Sequence, residues 1–207
     1  MEKPVLYHRI AKAISYVFHP LLMSSFAVLV IFNSGHYLSV TNPGIRTTIY
    51  SIYFILTFIL PALFIPVLYF FGMISSLEID KRRERLLPLL TVAIMYALGW
   101  YFMSRISMPP ILLHLILSAL ITVVAAAIVT IFWKISLHTT GTGALLGSVF
   151  YLANIKDLPV LLIGFLVILA CGLVGTARLY LKRHNPAQIY LGYFLGFVCV
   201  YIAMIIL

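Results

Sequence analysis

Residues 111–135 read ILLHLILSALITVVAAAIVTIFWKI. An apolar run longer than about 18 residues is what crossing a bilayer requires, because each helical residue rises only about 1.5 Å. Runs of the same character lie on both sides of this one. They predict membrane-spanning helices at Ile10–Phe32, Thr47–Met73, Leu86–Ser104, Ile111–Ile135, Thr140–Leu152, Val160–Leu181 and Ala187–Leu207. The fifth is short. Backbone groups in hydrocarbon must be satisfied within the segment, so helices are expected, and the short alternating strands of a barrel are not visible. The expected fold is all-α, a polytopic membrane bundle of about six to seven transmembrane helices. It forms one domain over residues 1–207, without linker, internal repeat or low-complexity tract.

Composition agrees. Hydrophobic residues make up 63% of the chain and charged residues 9%, against about 25% charged in an ordinary soluble domain. The net charge of +9 comes from 14 basic and 5 acidic residues. No long basic stretch lies outside the apolar runs, so a nucleic-acid partner is not expected. The basic residues sit in short loops and at span ends, where they meet lipid headgroups or phosphate. Cys171 and Cys199 both fall within apolar runs and read as packing residues. The first apolar run has no small-residue cleavage site after it and reads as a retained span.

Three polar segments are each separated by an even number of spans, which places them on one membrane face. The first holds Glu78, Asp80, Lys81, Arg82, Arg83, Glu84 and Arg85, then Pro88. It reads either as a solvated loop of internal ion pairs or as an anion clamp in which Arg85, with Lys81, grips phosphate. A guanidinium suits that task because its planar fork gives two parallel hydrogen bonds.

In the second segment, Ser136 and His138 precede Thr139, Thr140, Gly141, Thr142 and Gly143. A helix starting near Thr139 would point its free amides back at Ser136 and His138, an anion site; a polar cap at the interface is the plain alternative. Gly143 and Gly147 read as a close-packing motif. The third segment holds Arg178, Lys182, Arg183, His184, Asn185, Pro186 and Gln188. Asn185 is a preferred N-cap and Pro186 a preferred first helical residue. His184 then stands just outside the positive end of a helix dipole, with Gln188 one turn further along, able to lean back toward it.

Together the three segments resemble the type 2 phosphatidic acid phosphatase superfamily, relatives of bacterial acid phosphatases and vanadium haloperoxidases. The family pattern runs K-x6-R-P, then P-S-G-H, then S-R-x5-H-x3-D. This chain has Arg85-x-x-Pro88, then Ser136-x-His138, then Ala177-Arg178-x5-His184-x3-Gln188. The likeness covers roughly residues 78–196. It is closest to a divergent branch of small multispan proteins whose first motif is E-R-x-x-P, here Glu84-Arg85-x-x-Pro88.

The resemblance implies an enzyme, a phosphoric monoester or diphosphate hydrolase without metal or cofactor. His184 would be the nucleophile, forming phosphohistidine, and His138 the general acid and base. Gln188 would orient His184, and Arg85, Arg178, Lys81 and Ser136 would bind substrate. That substrate would be a lipid phosphate of the polyprenyl diphosphate, phosphatidate, phosphatidylglycerophosphate or lipid A class. Five acids, three of them in one loop, also make two-metal carboxylate chemistry hard to build.

The pattern departs from the family at Gln188, which stands where a carboxylate orients the nucleophile. An amide carbonyl still accepts an imidazole N–H but supplies no negative charge. Two further readings follow: a lipid phosphotransferase of the same fold, with another hydroxyl replacing water, or a catalytically weak lipid-phosphate-binding scaffold. The expected location is the bacterial cell (inner) membrane. The side of the site is open, because 11 of the 14 Lys and Arg residues lie on the motif side with the N-terminus. That distribution points to the cytoplasm, whereas the resemblance implies the outer face. Of the four other histidines, His8, His19, His36 and His114, none is expected to be a ligand, and His19 and His114 are expected to satisfy backbone or interhelical hydrogen bonds. Oligomeric state leaves no mark in the sequence.

Overall fold

A computed structural model describes residues 5–76, 79, 82–154 and 156–207. Among the described residues the regular structure is helical throughout, with no strand. In chain order the α-helices are α1 (Val5–Val17), α2 (Pro20–Phe32), α3 (Pro43–Phe54), α4 (Leu60–Phe70), α5 (Leu86–Arg105), α6 (Pro110–Phe132), α7 (Leu137–Asn154), α8 (Leu161–Tyr180) and α9 (Pro186–Ile206). Proline opens α2, α3, α6 and α9, where its missing N–H removes no helical bond.

Five segments are long and apolar enough to cross a membrane: Pro43–Phe70, Arg83–Arg105, Pro110–Phe132, Leu161–Tyr180 and Pro186–Ile206. The chain is an integral membrane protein. Two expected spans differ from the sequence reading. The first, expected as one helix over Ile10–Phe32, is two helices bent by 61° between Val17 and Pro20. The second span runs unbroken from α3 into α4 through one π-turn, Ile55–Ile59. That turn lies just before Pro61, where the ring would otherwise press on the carbonyl four residues back.

The fifth expected span, Thr140–Leu152, lies inside α7, which is too polar to qualify as a span on its own. Its environment explains this. Thr139, Thr140, Thr142, Gly143, Gly147 and Ser148 are all buried, and α7 packs against α2, α8 and α9. A helix sheathed by other helices meets little lipid and need not be apolar. Lipid-facing character falls instead on helices such as α5, α6 and α8, where Ile94, Leu98, Ile128, Leu162 and Phe165 stay exposed.

The closest packing is between α7 and α9. A Cβ added at Gly143 would meet the Tyr193 backbone, one at Gly147 would lie 2.6 Å from the Phe197 carbonyl oxygen, and those at Gly192 and Gly196 would strike Thr139 and Thr140. Paired positions rise together in number, so the helices are parallel and their N-termini share one end of the bundle. The expected close-packing role of Gly143 and Gly147 is what the structure has, with Gly192 and Gly196 completing it from the other helix.

Candidate active site

Parallel packing of α7 and α9 brings two helix N-termini together, and the chain around each carries a histidine. The Ser136 amide donates to the Gln188 carbonyl at 3.4 Å, fixing the start of α7 beside the start of α9. Helix α7 begins at Leu137, two residues before the expected Thr139, so His138 sits in its first turn.

His184 is positioned by the turn between α8 and α9. Helix α8 ends with Lys182 donating to Leu179 and Arg183 to Arg178, the paired bonds of a Schellman ending. Lys182 takes the left-handed conformation there, φ 54°, at a position where glycine is usual. His184 follows, then the N-cap Asn185. A capping box closes α9: the Asn185 side-chain oxygen accepts from the Gln188 amide, and the Gln188 side-chain oxygen accepts from the Asn185 amide. That same Gln188 Oε1 lies 2.9 Å from His184 Nδ1. A carbonyl oxygen only accepts, so Nδ1 carries the hydrogen and Nε2 keeps its lone pair. Burial lowers the His184 pKa to about 4. The Gln188 bond opposes that shift, while Arg85, Arg178 and Lys134 reinforce it.

His138 is held from another direction. Its Nε2 lies 3.2 Å from the Ser15 carbonyl oxygen of α1. Its ring meets that of His19 edge to face at a centroid distance of 5.8 Å. Arg178 Nη1 donates to the Ser15 hydroxyl at 3.4 Å. Arg85 is buried, and its guanidinium donates to the carbonyl of Ile79 at 2.9 Å and to that of Ile135 at 3.1 Å. The three polar segments therefore converge.

Arg85, His138, Arg178 and His184 all line one cavity of about 540 Å³. Its other end is apolar, walled by Leu89, Val92, Leu115, Ala119, Val123 and Val200 from α5, α6 and α9. Among the other expected site residues, Gln188 touches His184 from behind. Ser136 is fully buried and is not among the cavity's lining residues. Lys81 lies outside the described residues. Among the described residues, no three of His, Cys, Asp or Glu gather at metal-binding distance.

Residues 130–207 match the PAP2 superfamily. The chain is similar to that superfamily over this segment. The match holds Ser136, His138, Arg178, His184 and Gln188; Lys81, Arg85 and the whole of α1 precede it. PAP2 proteins are in general phosphatases, which supports hydrolysis of phosphate esters at that coarse level. No curated protein and no solved structure matches the chain.

Four residues of the cavity escaped sequence reasoning as site residues: His8, Lys12, Ser15 and His19. His19 does what was expected of it, accepting the Leu21 amide at 3.4 Å as the N-cap of α2, yet it also faces the cavity. The signal was present. Spacings of four, three and four would put all four residues on one face of an unbroken helix.

Proposed function

We propose that the protein is a lipid phosphate or diphosphate phosphatase working through a phosphohistidine, in the bacterial cell membrane. One observation carries the reading: a single cavity joins a polar end, holding two arginines and two histidines, to an apolar end between membrane helices. That shape suits a phosphate at the interface and an acyl or prenyl tail in the hydrocarbon. Polyprenyl diphosphate, phosphatidate, phosphatidylglycerophosphate and lipid A all fit this description.

In the first step the lone pair on His184 Nε2 forms a bond to phosphorus. The bond from phosphorus to the leaving oxygen breaks, and His138 gives that oxygen a proton. In the second step water attacks phosphorus and gives a proton to His138. The phosphorus–nitrogen bond breaks, and inorganic phosphate leaves with His184 restored. Arg85 and Arg178 hold the non-bridging oxygens as charge spreads over them. Lys81 joins this clamp. Ser136 serves from behind the cavity wall, joining α7 to α9. With an alcohol of another lipid in place of water, the same steps describe a phosphotransferase. Because Gln188 brings no charge to the nucleophile, a weakly catalytic lipid-phosphate-binding protein is the second reading.

The test is phosphate release from a panel of lipid phosphates in detergent micelles containing EDTA, with acid-labile phosphate on His184 sought after rapid quenching. Wild type should turn over and form the adduct, and His184→Ala should do neither. Activity that disappears on chelation and returns with Mg²⁺, or that survives in His184→Ala, sinks the histidine mechanism. Binding of lipid phosphate without adduct or turnover selects the scaffold reading.

A further inference from the structure

The bend between α1 and α2 lies outside the three motifs and outside the PAP2-matching segment, yet it touches two of the cavity's polar residues. Its hydrogen bonding explains how. Phe18 donates to Ile14 at 2.9 Å, an ordinary helical bond, but His19 donates to Tyr16 at 3.3 Å, one residue short of helical register. In an unbroken helix the His19 amide would bond to Ser15. Pro20, the next residue, has no N–H to offer. The break therefore leaves the Ser15 carbonyl without a partner in its own helix, and that carbonyl is the one His138 Nε2 reaches at 3.2 Å. The corner is also seated on the helix that carries His138. A Cβ at Gly141 would come within 3.2 Å of Pro20 Cα and 2.9 Å of Met23 Cγ.

We propose that the helix break at His19–Pro20 is a positioning device for the reaction, with Ser15 as its working residue. The freed Ser15 carbonyl holds the Nε2–H of His138, and the Ser15 hydroxyl accepts from Arg178. The hydroxyl is itself anchored, since it donates to the Ala11 carbonyl at 3.0 Å.

The chemistry follows from what each atom can do. A carbonyl only accepts, so Nε2 keeps its hydrogen through the cycle and Nδ1 is the nitrogen that gives and takes the proton. The carbonyl end of α1 also presents the negative end of its dipole to the ring, which favours the proton-bearing form needed to release the leaving group. One residue of α1 thus couples the proton-transfer group to one arm of the phosphate clamp. The charged and titratable groups facing His138 are His19 from the corner, Arg178 from α8 and His184 from the loop before α9. This inference rests on reading His138 as the acid and base. Its test therefore includes a readout that needs no turnover.

The experiment compares the full-length protein with Pro20→Ala, Ser15→Ala and Ser15→Thr in lipid nanodiscs. The imidazole nitrogens of His138 are followed by ¹⁵N NMR, and phosphatidate hydrolysis is measured across pH. Wild-type His138 should carry its hydrogen on Nε2. Pro20→Ala returns amides to the carbonyls of Ser15 and Tyr16, and it suits a helix, so folding is not at risk. It should shift His138 toward the other tautomer, lower kcat about tenfold with KM little changed, and displace the limb of the pH profile set by His138. Ser15→Ala should raise KM severalfold and leave the His138 spectrum as it was, and Ser15→Thr should restore KM. A wild-type His138 protonated on Nδ1, or a Pro20→Ala protein with unchanged spectrum and pH profile, overturns the proposal. If the spectra behave as expected but no protein releases phosphate, the phosphatase reading fails and the His138–Ser15 bond stands.

Discussion

The two histidines of the cavity are held in opposite senses by unlike means. His184 gives its Nδ1–H to a side-chain amide four residues away, inside one capping box, and offers Nε2 to the cavity. His138 gives its Nε2–H to a backbone carbonyl 123 residues away, across a broken helix. The first arrangement is local and assembles whenever α9 forms. The second exists only once α1 has docked on α7 and α8. The proposed nucleophile needs a fixed lone pair, and the capping box fixes the ring within five residues. A proton carrier needs an acceptor that supports the ring in both its charged and neutral states, and a carbonyl dipole does this without a competing ionisation.

The largest effect that separates the two stations comes from removing each ring in turn. His184→Ala should abolish turnover on every substrate, a loss of at least about 10³-fold. His138→Ala should be comparably slow on lipid phosphates but largely recovered in its first step on an aryl phosphate, whose leaving group departs without a proton. The adduct on His184 should then accumulate, because water attack still lacks its base. Rapid-quench measurement of adduct and released alcohol checks this, and equal losses on both substrates would merge the two roles.

A middle-sized effect is expected at the arginine touching Ser15. Arg178→Lys keeps the charge and loses the fork, so transition-state binding should fall by about 1.5–3 kcal/mol, read as a lower kcat/KM. An unchanged value would remove Arg178 from the clamp.

The smallest and most diagnostic effect concerns Gln188. With the His184 pKa lowered to about 4, the ring stays unprotonated down to about that pH, and activity through His184 as the proposed nucleophile should fall only as pH drops through it. Gln188→Glu places a negative charge beside the ring and favours imidazolium, so the acid limb should move to higher pH. Gln188→Ala should slow the chemical step and weaken the cap of α9 by about 1 kcal/mol. A pH–rate profile identical in all three proteins would reduce Gln188 to a helix cap.

The same contrast decides how much of the molecule could be read from the chain. The His184 station is written in five consecutive letters, His184 to Gln188, and cap chemistry alone orients them. His138 was legible as a residue beside a helix start, but its partner was not, because nothing local links Ser15 to position 138. The bend was overlooked for a related reason. In a long apolar run a proline such as Pro20 reads as a tolerated kink, and nothing in the run distinguishes a slight kink from the 61° corner observed. The apolar spans were plain, and α7 was legible only as a short one, Thr140–Leu152, because buried threonines and glycines interrupt its apolar run. Arg85, proposed for the clamp, was visible as part of a charged loop, while its bonds to Ile79 and Ile135 depend on tertiary contact.

The glycine seam between α7 and α9 has a bearing on how the site would respond to heat. Where side chains interdigitate, warming lets rotamers exchange and distances drift. Here backbone lies against backbone at Gly143, Gly147 and Gly196, and at Gly192 against the short, buried Thr139 side chain, leaving few rotamers to loosen. The spacing between the two helix starts, and so between the two rings, should hold nearly constant with temperature until the helices part. Catalysis would then end at a threshold instead of fading.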